Sequence, residues 1–255
     1  MNTSNISKHP ILLTGAASLL ITLSLIPTGF AAPLPADITW GPAMNITPSA
    51  VETDVLNTGI LVGAFNLGAA GVSSTTVNGV TFAPFAVSGT STTVGDYVLN
   101  SSGMVYSTNT AFGSAATPFA SLSTPYKTLL ESGTAVFGTE FYLNLNNLTV
   151  GQDYTFQWCS NDSGPQFAPY ATTATSVNTV ALNDNTSGYV AGGLGQYATG
   201  TFTAISNVQV IEFSGAAATP LFNAFQLRTV PEPASAVLLF GAGAMLALRR
   251  RRASV

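Results

Sequence analysis

Histidine and cysteine are almost absent from this sequence, and their scarcity excludes several kinds of active site. The single histidine, His9, lies near the N-terminus, so a chain cleaved downstream of it has no imidazole. Hydrolases that need a histidine base and zinc sites with histidine ligands are therefore excluded from such a chain. The single cysteine, Cys159, cannot form an internal disulfide. We interpret it as a small buried residue of a strand, with pairing between two chains as the alternative.

Basic residues are also scarce. Charged residues make up 7% of the sequence, and between Ala32 and Thr229 only Lys127 and Arg228 are basic, against ten acidic residues. A surface of this charge cannot neutralise a phosphate backbone, so we expect no nucleic-acid partner. Serine, threonine, asparagine and glycine supply most of the polarity instead, which is typical of β-structure.

The first 31 residues have the pattern of a secretory signal peptide. Residues 1–10 include Lys8 and no acidic residue, and residues 11–26 are mostly apolar. Gly29-Phe30-Ala31 then places small residues at the two positions that a signal peptidase reads. We predict that signal peptidase cleaves after Ala31 and that the rest of the chain is exported.

The C-terminus combines a proline motif, an apolar run and a basic cluster. Pro231 and Pro233 fix φ and lack amide donors, so Glu232 between them is expected in an extended segment that another protein can bind. Residues 234–248 are apolar and favour the interior of a bilayer. The cluster that follows is expected to hold the terminus on the cytoplasmic side, and its members are Arg249, Arg250, Arg251 and Arg252.

In this order and spacing, residues 230–255 resemble the PEP-CTERM sorting tail of diderm bacteria. The resemblance implies that Pro231, Glu232 and Pro233 are recognised by an exosortase, a membrane enzyme that processes exported proteins, often in bacteria that produce exopolysaccharide. It also implies that residues 234–248 are a transient anchor in the inner membrane and that the arginine cluster is the membrane stop. The processed protein is then expected at the cell surface or in the extracellular matrix.

The length of the apolar run also favours a temporary anchor. Fifteen helical residues span about 22 Å, which is less than the roughly 30 Å of a bilayer hydrocarbon core. Arginine side chains that reach the interface and one added helical turn make insertion feasible, but the segment remains short for a permanent transmembrane anchor. The alternative is an ordinary C-terminal transmembrane helix.

Residues 32–229 are long enough for one domain with a sizeable core, and they predict an all-β fold. Period-two alternation is clearest in Tyr154, Phe156 and Trp158, which suggests that Trp158 is a core residue. Short strands with glycine and asparagine turns favour a single antiparallel β-sandwich, jelly-roll-like, between the signal peptide and the C-terminal helix. The predicted strands are 60–65, 76–82, 97–99, 139–144, 153–159, 177–182, 197–204, 208–213 and 222–227.

One segment of this body predicts a helix. Pro125 suits its first turn, Thr124 is the expected N-cap, and Gly133 is expected to end it after Ser132. The body as a whole also resembles, in patches from Trp40 to Arg228, an uncharacterised extracellular domain that often precedes PEP-CTERM tails. That resemblance implies export and a β-sandwich, and it implies no ligand.

Three classes of function fit these features. The first is a non-catalytic protein of the cell envelope or matrix, associated with exopolysaccharide. The second is a carbohydrate-binding module, because aromatic rings stack on sugars and amides bind hydroxyls. Tyr189 and Tyr197 flank the glycine-rich segment 192–195, so these two rings and Gln196 are the candidate ligand-facing residues.

The third class is a glycoside-cleaving enzyme that uses two carboxylates. Its candidates are Glu140, Glu212, Asp153 and Asp162, but sequence spacing places no two of them across a sugar. Calcium could be held by Asn161 and Asp162 or by residues 183–185, although neither run has EF-hand spacing and both are typical of turns. We therefore predict no catalytic residue, no metal and no cofactor.

Overall fold

Short strands make up most of the chain that the computed structural model describes, which is residues 36–48, 52–137, 140–165, 171–215 and 219–231. The predicted signal peptide, residues 234–248 and the arginine cluster lie outside the described residues. A 3-10 helix covers Phe119–Ser121, and α1 covers Thr124–Glu131. The strands are β1 Thr39–Trp40, β2 Met44–Asn45, β3 Ile60–Gly68, β4 Thr75–Val77, β5 Val80–Ala86, β6 Ser91–Val94, β7 Tyr97–Ser101, β8 Met104–Thr108, β9 Gly133–Phe137, β10 Glu140–Leu145, β11 Asp153–Ser160, β12 Ala171–Thr175, β13 Thr179–Asn183, β14 Gln196–Thr203, β15 Gln209–Gly215, β16 Leu221–Phe222 and β17 Ala224–Thr229.

The strands form two large sheets and one small sheet. The eight-stranded sheet has the order β1-β14-β11-β17-β3-β5-β4, with β2 also paired to β14. The six-stranded sheet has the order β13-β12-β15-β10-β7-β6, and the three-stranded sheet has the order β16-β9-β8. Strands β3 and β5 pair in parallel, and the other pairings among the described residues are antiparallel. The predicted all-β sandwich is confirmed.

Aromatic side chains fill the space between the two large sheets. Phe213 of the six-stranded sheet lies between Trp158 and Phe222, with ring centroids 4.9 and 4.7 Å away. Phe222 in turn stacks on Phe225 at 5.5 Å. Trp158 is 1% exposed, which confirms its interpretation as a core residue. Burying each such ring contributes on the order of 2 kcal/mol to folding.

Helix α1 covers the opposite face of the eight-stranded sheet. Its buried residues Tyr126, Leu129 and Leu130 belong to a second apolar cluster that includes residues of β4 and β5. The N-cap is Ser123, whose Oγ accepts a hydrogen bond from the amide of Tyr126 at 3.2 Å. The expectation that Thr124 caps the helix was wrong, because Thr124 is already the first helical residue.

A turn divides one predicted strand, and six strands were not predicted. The segment 76–82 contains a hairpin turn at Asn78 and Gly79, which both have positive φ, so it forms β4 and β5 instead of one strand. The strands outside the predicted segments are β1, β2, β6, β8, β9 and β12. They are short and lack a clear alternation of apolar and polar residues, and only their partners across the sheet fix their conformation.

Candidate functional site

Gln196 and Tyr197 lie together at the start of β14, where the protein itself occupies their polar groups. Gln196 Oε1 accepts a hydrogen bond from the amide of Asn183, and its Nε2 donates to Asn45 Oδ1, both at 2.8 Å. Tyr197 is half-buried and packs against the second apolar cluster, and burial raises the pKa of its phenol. This part of the predicted ligand-facing set therefore contributes to packing between strands.

Tyr189 lies in the loop between β13 and β14. It is half-buried, and its φ of +69° is unusual for a residue with a large side chain. That Tyr189, Gln196 and Tyr197 face a ligand stays a prediction.

A series of hydrogen bonds joins buried polar side chains near Tyr197, on the face of the eight-stranded sheet that α1 covers. Gln157 Nε2 donates to the carbonyl of Asp54 at 2.8 Å, and Gln226 Nε2 donates to Gln157 Oε1 at 2.6 Å. Arg228 Nε then donates to Gln226 Oε1 at 2.8 Å. The cavity beside these side chains measures only about 20 Å³, which is the size of a single water molecule. These residues therefore serve the fold and leave no room for a ligand.

Cys159 borders the same cavity. Burial raises the pKa of its thiol to about 12, although its Sγ also lies 3.7 Å from the carbonyl oxygen of Ala224. A thiol with this pKa stays protonated near neutral pH and is a poor nucleophile.

The four candidate carboxylates lie in two different arrangements. Tyr142 pairs with Glu212 in the six-stranded sheet, and Glu140 lies two residues before Tyr142, so the two glutamates are diagonal neighbours on the outer face. A hydrogen bond with Glu140 raises the pKa of Tyr142 to about 12. Asp153 begins β11, whereas Asp162 follows its last residue, so those two carboxylates lie at opposite ends of the strand.

The two candidate calcium segments meet beyond the end of β11. The amide of Asp162 donates to the carbonyl of Asp184 at 2.8 Å, and Asn185 Nδ2 donates to the carbonyl of Asp162 at 3.0 Å. Asn161 Oδ1 accepts a hydrogen bond from the amide of Gly195 at 2.9 Å. No group of three or more histidine, cysteine or acidic residues suited to a metal occurs among the described residues.

Asn223 completes this arrangement from its position between β16 and β17. Its Oδ1 accepts from the amide of Asn161 at 2.7 Å, and its Nδ2 donates to the carbonyls of Leu130 and Ser132 at 2.9 and 2.7 Å. These hydrogen bonds hold loops of distant sequence against the end of the sheet. We call this set the amide end, and its members are Asn161, Ser163, Asn185, Gly195 and Asn223.

A second candidate site lies on the three-stranded sheet. Tyr106 of β8 and Phe137 of β9 are 44% and 52% exposed, and their ring centroids are 6.3 Å apart. A groove of about 180 Å³ beside them is also lined by Phe112, Asp162 and Asp184. Exposed rings next to carboxylates suit a flat ligand that carries hydroxyl groups. We call this surface the aromatic groove.

Sequence analysis missed the aromatic groove because the strands that carry it were not predicted. Residues 104 and 137 are paired across the small sheet, although they are more than thirty positions apart in the sequence. The available signal was the spacing of Met104 and Tyr106, which places both side chains on one face of a strand. It did not show which face was exposed.

The C-terminal motif begins where β17 ends. The amide of Val230 donates to the carbonyl of Asp153 at 2.9 Å, and Gln152 Nε2 donates to the carbonyl of Val230 at 3.1 Å. Pro231 is the last described residue. No helix in the described part of the chain is long and apolar enough to cross a membrane. The predicted span at 234–248 lies beyond that part.

Comparison with protein families identifies this segment. Residues 229–252 match the PEP-CTERM protein-sorting motif. The chain therefore carries the sorting motif of exosortase-processed proteins, as its sequence predicted. The motif implies export, transient anchoring in a membrane and processing by an exosortase-type enzyme.

No curated protein matches the chain. One solved structure concerns the promiscuous specificity of carbohydrate-binding modules from the β-sandwich superfamily. It has 12% sequence identity, covers 73% of this chain and 97% of its own, and has a TM-score of 0.14. A likeness this low carries no argument about the ligand of this protein.

Proposed function

We propose that this is a non-catalytic protein of the cell envelope or extracellular matrix, displayed or released after its tail is processed and associated with exopolysaccharide. The observation that supports the proposal is the sorting motif at residues 229–252, joined directly to the last strand of a β-sandwich. The mature domain needs no active site for this role. Its hydroxyl-rich and sparsely charged composition suits neutral polysaccharide surroundings.

Processing and location test this proposal. We expect that replacing Pro231, Glu232 and Pro233 together by alanine keeps the full-length mass and leaves the protein in the inner-membrane fraction. The wild type is expected to lose mass and reach the surface or medium. Ser254→Ala, which lies beyond the matched motif, is the control and should behave as the wild type does. Identical mass and location for wild type and triple variant would contradict the proposal.

A carbohydrate-binding module is the second candidate, and the aromatic groove is the observation that favours it. Two exposed rings, Tyr106 and Phe137, lie within reach of the same ligand, and Asp162 and Asp184 line the same groove. Exposed aromatic rings offer flat apolar faces that suit the apolar face of a sugar.

A glycan array probed with the exported protein tests the second candidate. We expect Tyr106→Ala to weaken binding, whereas Tyr142→Ala, on the outer face of the six-stranded sheet, should not. Equal binding by both variants would exclude the groove as the site. Release of sugar that is lost in a Glu140→Gln or Glu212→Gln variant would instead contradict the absence of catalysis.

A further inference from the structure

We propose that the end of the eight-stranded sheet from which the tail leaves is a membrane-facing surface that rests on a neutral, zwitterionic lipid interface while the tail is inserted. The inference rests on the proposed sorting function, because an inserted tail is its premise. It assigns a second contact with the membrane, made by the folded domain itself.

Four strands end together at this side of the sheet. Thr229, the last residue of β17, pairs with Ile60 of β3 and with Tyr154 of β11. Asp153, the first residue of β11, pairs with Thr203, the last of β14. The turn before β11 and the turn after β14 are also joined, because the amide of Gly151 donates to the carbonyl of Ala204 at 2.8 Å and the amide of Ala204 donates to the carbonyl of Gln152 at 3.0 Å.

The side chains at this side are unusually apolar for an exposed surface. Val150 and Ile205 lie at the tips of the two joined turns and are 61% and 60% exposed. Three consecutive apolar residues begin β3, and the strand pairs with β5 only from Phe65 onward, so one edge of the segment 60–62 has no partner strand among the described residues. We call this set the apolar end, and its members are Ile60, Leu61, Val62, Val150, Ile205 and Val230.

The length of chain between this surface and the apolar run determines how far it can lie from the bilayer. Val230 is hydrogen-bonded into the sheet, and the apolar run begins at Ala234. Four extended residues reach at most about 14 Å. The polar layer on each side of the hydrocarbon core is about 6 Å thick. An inserted run therefore brings the apolar end to the headgroup layer or within several ångströms of it.

The short apolar run draws the domain still closer. As the predicted helix, residues 234–248 would span about 22 Å, which is less than the thickness of the hydrocarbon core, so insertion would draw both ends of the run toward the membrane interior. Exposed valine, leucine and isoleucine side chains are stabilised when they leave water. The contact therefore reduces the cost of the mismatch.

Charge favours a neutral membrane surface over an anionic one. Two carboxylates, Asp153 and Asp37, line an open groove together with Val230. Both accept hydrogen bonds from neutral side chains, Asp153 from Thr203 and Asp37 from Asn178. The one arginine close by, Arg228, is buried and donates to Gln226 and to backbone carbonyls. Apolar contact is therefore the attraction that this surface offers.

Lipid quenching tests the proposal on the full chain. Single cysteines at Val150, Ile205, Val190 or Ala242, in a Cys159→Ala background, would carry an environment-sensitive fluorophore in phosphatidylcholine vesicles that contain a nitroxide lipid. Val190 is the matched control because it is 62% exposed and lies in the loop before β14, a strand about 23 Å long whose other end is at the apolar end. We expect quenching and a blue shift at 150, 205 and 242 and neither at 190.

Each other outcome contradicts a specific step. If position 242 is quenched but positions 150 and 205 are quenched no more than position 190, the membrane contact of the domain is overturned and the sorting function is left intact. No quenching at any position would contradict both, because the tail would not be inserted. A blue shift at 150 and 205 in detergent solution, together with a doubled mass and no quenching by lipid, would show that a second copy of the chain covers this surface.

Discussion

Buried amides fill one end of the eight-stranded sheet, whereas exposed apolar side chains surround the other. At the amide end, Asn161 and Asn223 are fully buried and bind backbone groups of several loops. At the apolar end, Val150 and Ile205 are more than half exposed on short turns. A buried amide is costly unless it is fully hydrogen-bonded, and an exposed apolar residue contributes little to folding. The amide end therefore determines stability, and the apolar end is free to determine interaction.

Loss of a central amide should have the largest effect on stability. Asn223→Ala removes the side-chain partner of the amide of Asn161 and of the carbonyl of Ser132, whereas the carbonyl of Leu130 keeps a hydrogen bond from Asn161 Nδ2. We expect a loss of about 4 kcal/mol in the free energy of unfolding, since each buried unsatisfied group costs about 1–3 kcal/mol. Chemical denaturation measures it. Asn178→Ala, an exposed amide near Asp37, is the control and should cost less than about 1 kcal/mol. Equal losses would contradict the assignment of stability to the amide end.

Replacing a glycine by alanine should also destabilise the protein more at the amide end than at the apolar end. A Cβ on Gly195 would overlap the backbone oxygen of Ser160 and lie 2.8 Å from Asn161 Cα, so Gly195→Ala should cost about 3 kcal/mol. Gly151 has a φ of +85° but open space around it, so Gly151→Ala should cost only the strain of that conformation, about 1 kcal/mol. Thermal unfolding compares the two variants. A larger loss at Gly151 would reverse the comparison.

Alkaline pH should destabilise the protein through two buried groups. Burial raises the pKa of Cys159 to about 12 and, with a smaller contribution from Asp96, that of Tyr97 to about 12. Because folding favours their neutral forms, the stabilisation is complete below about pH 9 and is lost as the pH rises toward 12. The free energy of unfolding should fall over that pH range, and denaturant titrations at several pH values measure it. Tyr97→Phe and Cys159→Ala should each make this fall less steep.

The reactivity of the Cys159 thiol independently checks that burial keeps this group protonated. Iodoacetamide should modify Cys159 slowly at pH 8 in the native protein and rapidly after denaturation, because the native thiol is protonated. Equal rates would show that burial does not control this group.

Polar substitutions at the apolar end should have the smallest effect on folding. Val150→Ser and Ile205→Ser change side chains that are mostly exposed, so each should alter the free energy of unfolding by less than about 0.5 kcal/mol. Denaturant titration measures the change. A loss above 2 kcal/mol in either variant would mean that these side chains are packed in the native protein.

The turns at both ends were recognisable from sequence, but their neighbours were not. Glycine or asparagine marks a turn on each side of the predicted strand 153–159, at Val150-Gly151 and at Asn161-Asp162. Strand β11 indeed begins at Asp153 and ends at Ser160. That Asp162 meets Asp184, or that Ile205 lies beside Val150, depends on pairings between distant segments. No local pattern encodes such pairings.

The candidate site illustrates the same limit. Trp158 was correctly placed in the core because alternation with Phe156 is a local signal. The exposed rings Tyr106 and Phe137 carry no such signal, since each occupies a short strand and the two meet only through the pairing of β8 with β9. Gln196 and Tyr197 were correctly placed next to a glycine-rich loop, but the partners that their side chains contact come from other parts of the chain.

The sorting motif could be read from residues 229–252 alone, because proline geometry, apolar length and terminal charge are properties of contiguous residues. The all-β class also followed from short alternating segments separated by turns. Only the fold placed that motif at the end of β17 among exposed apolar turns and placed the buried amides at the opposite end of the sheet. Hydrogen bonds between segments that are tens of residues apart produce this difference, and their energies depend on burial that exists only once the sheets have packed.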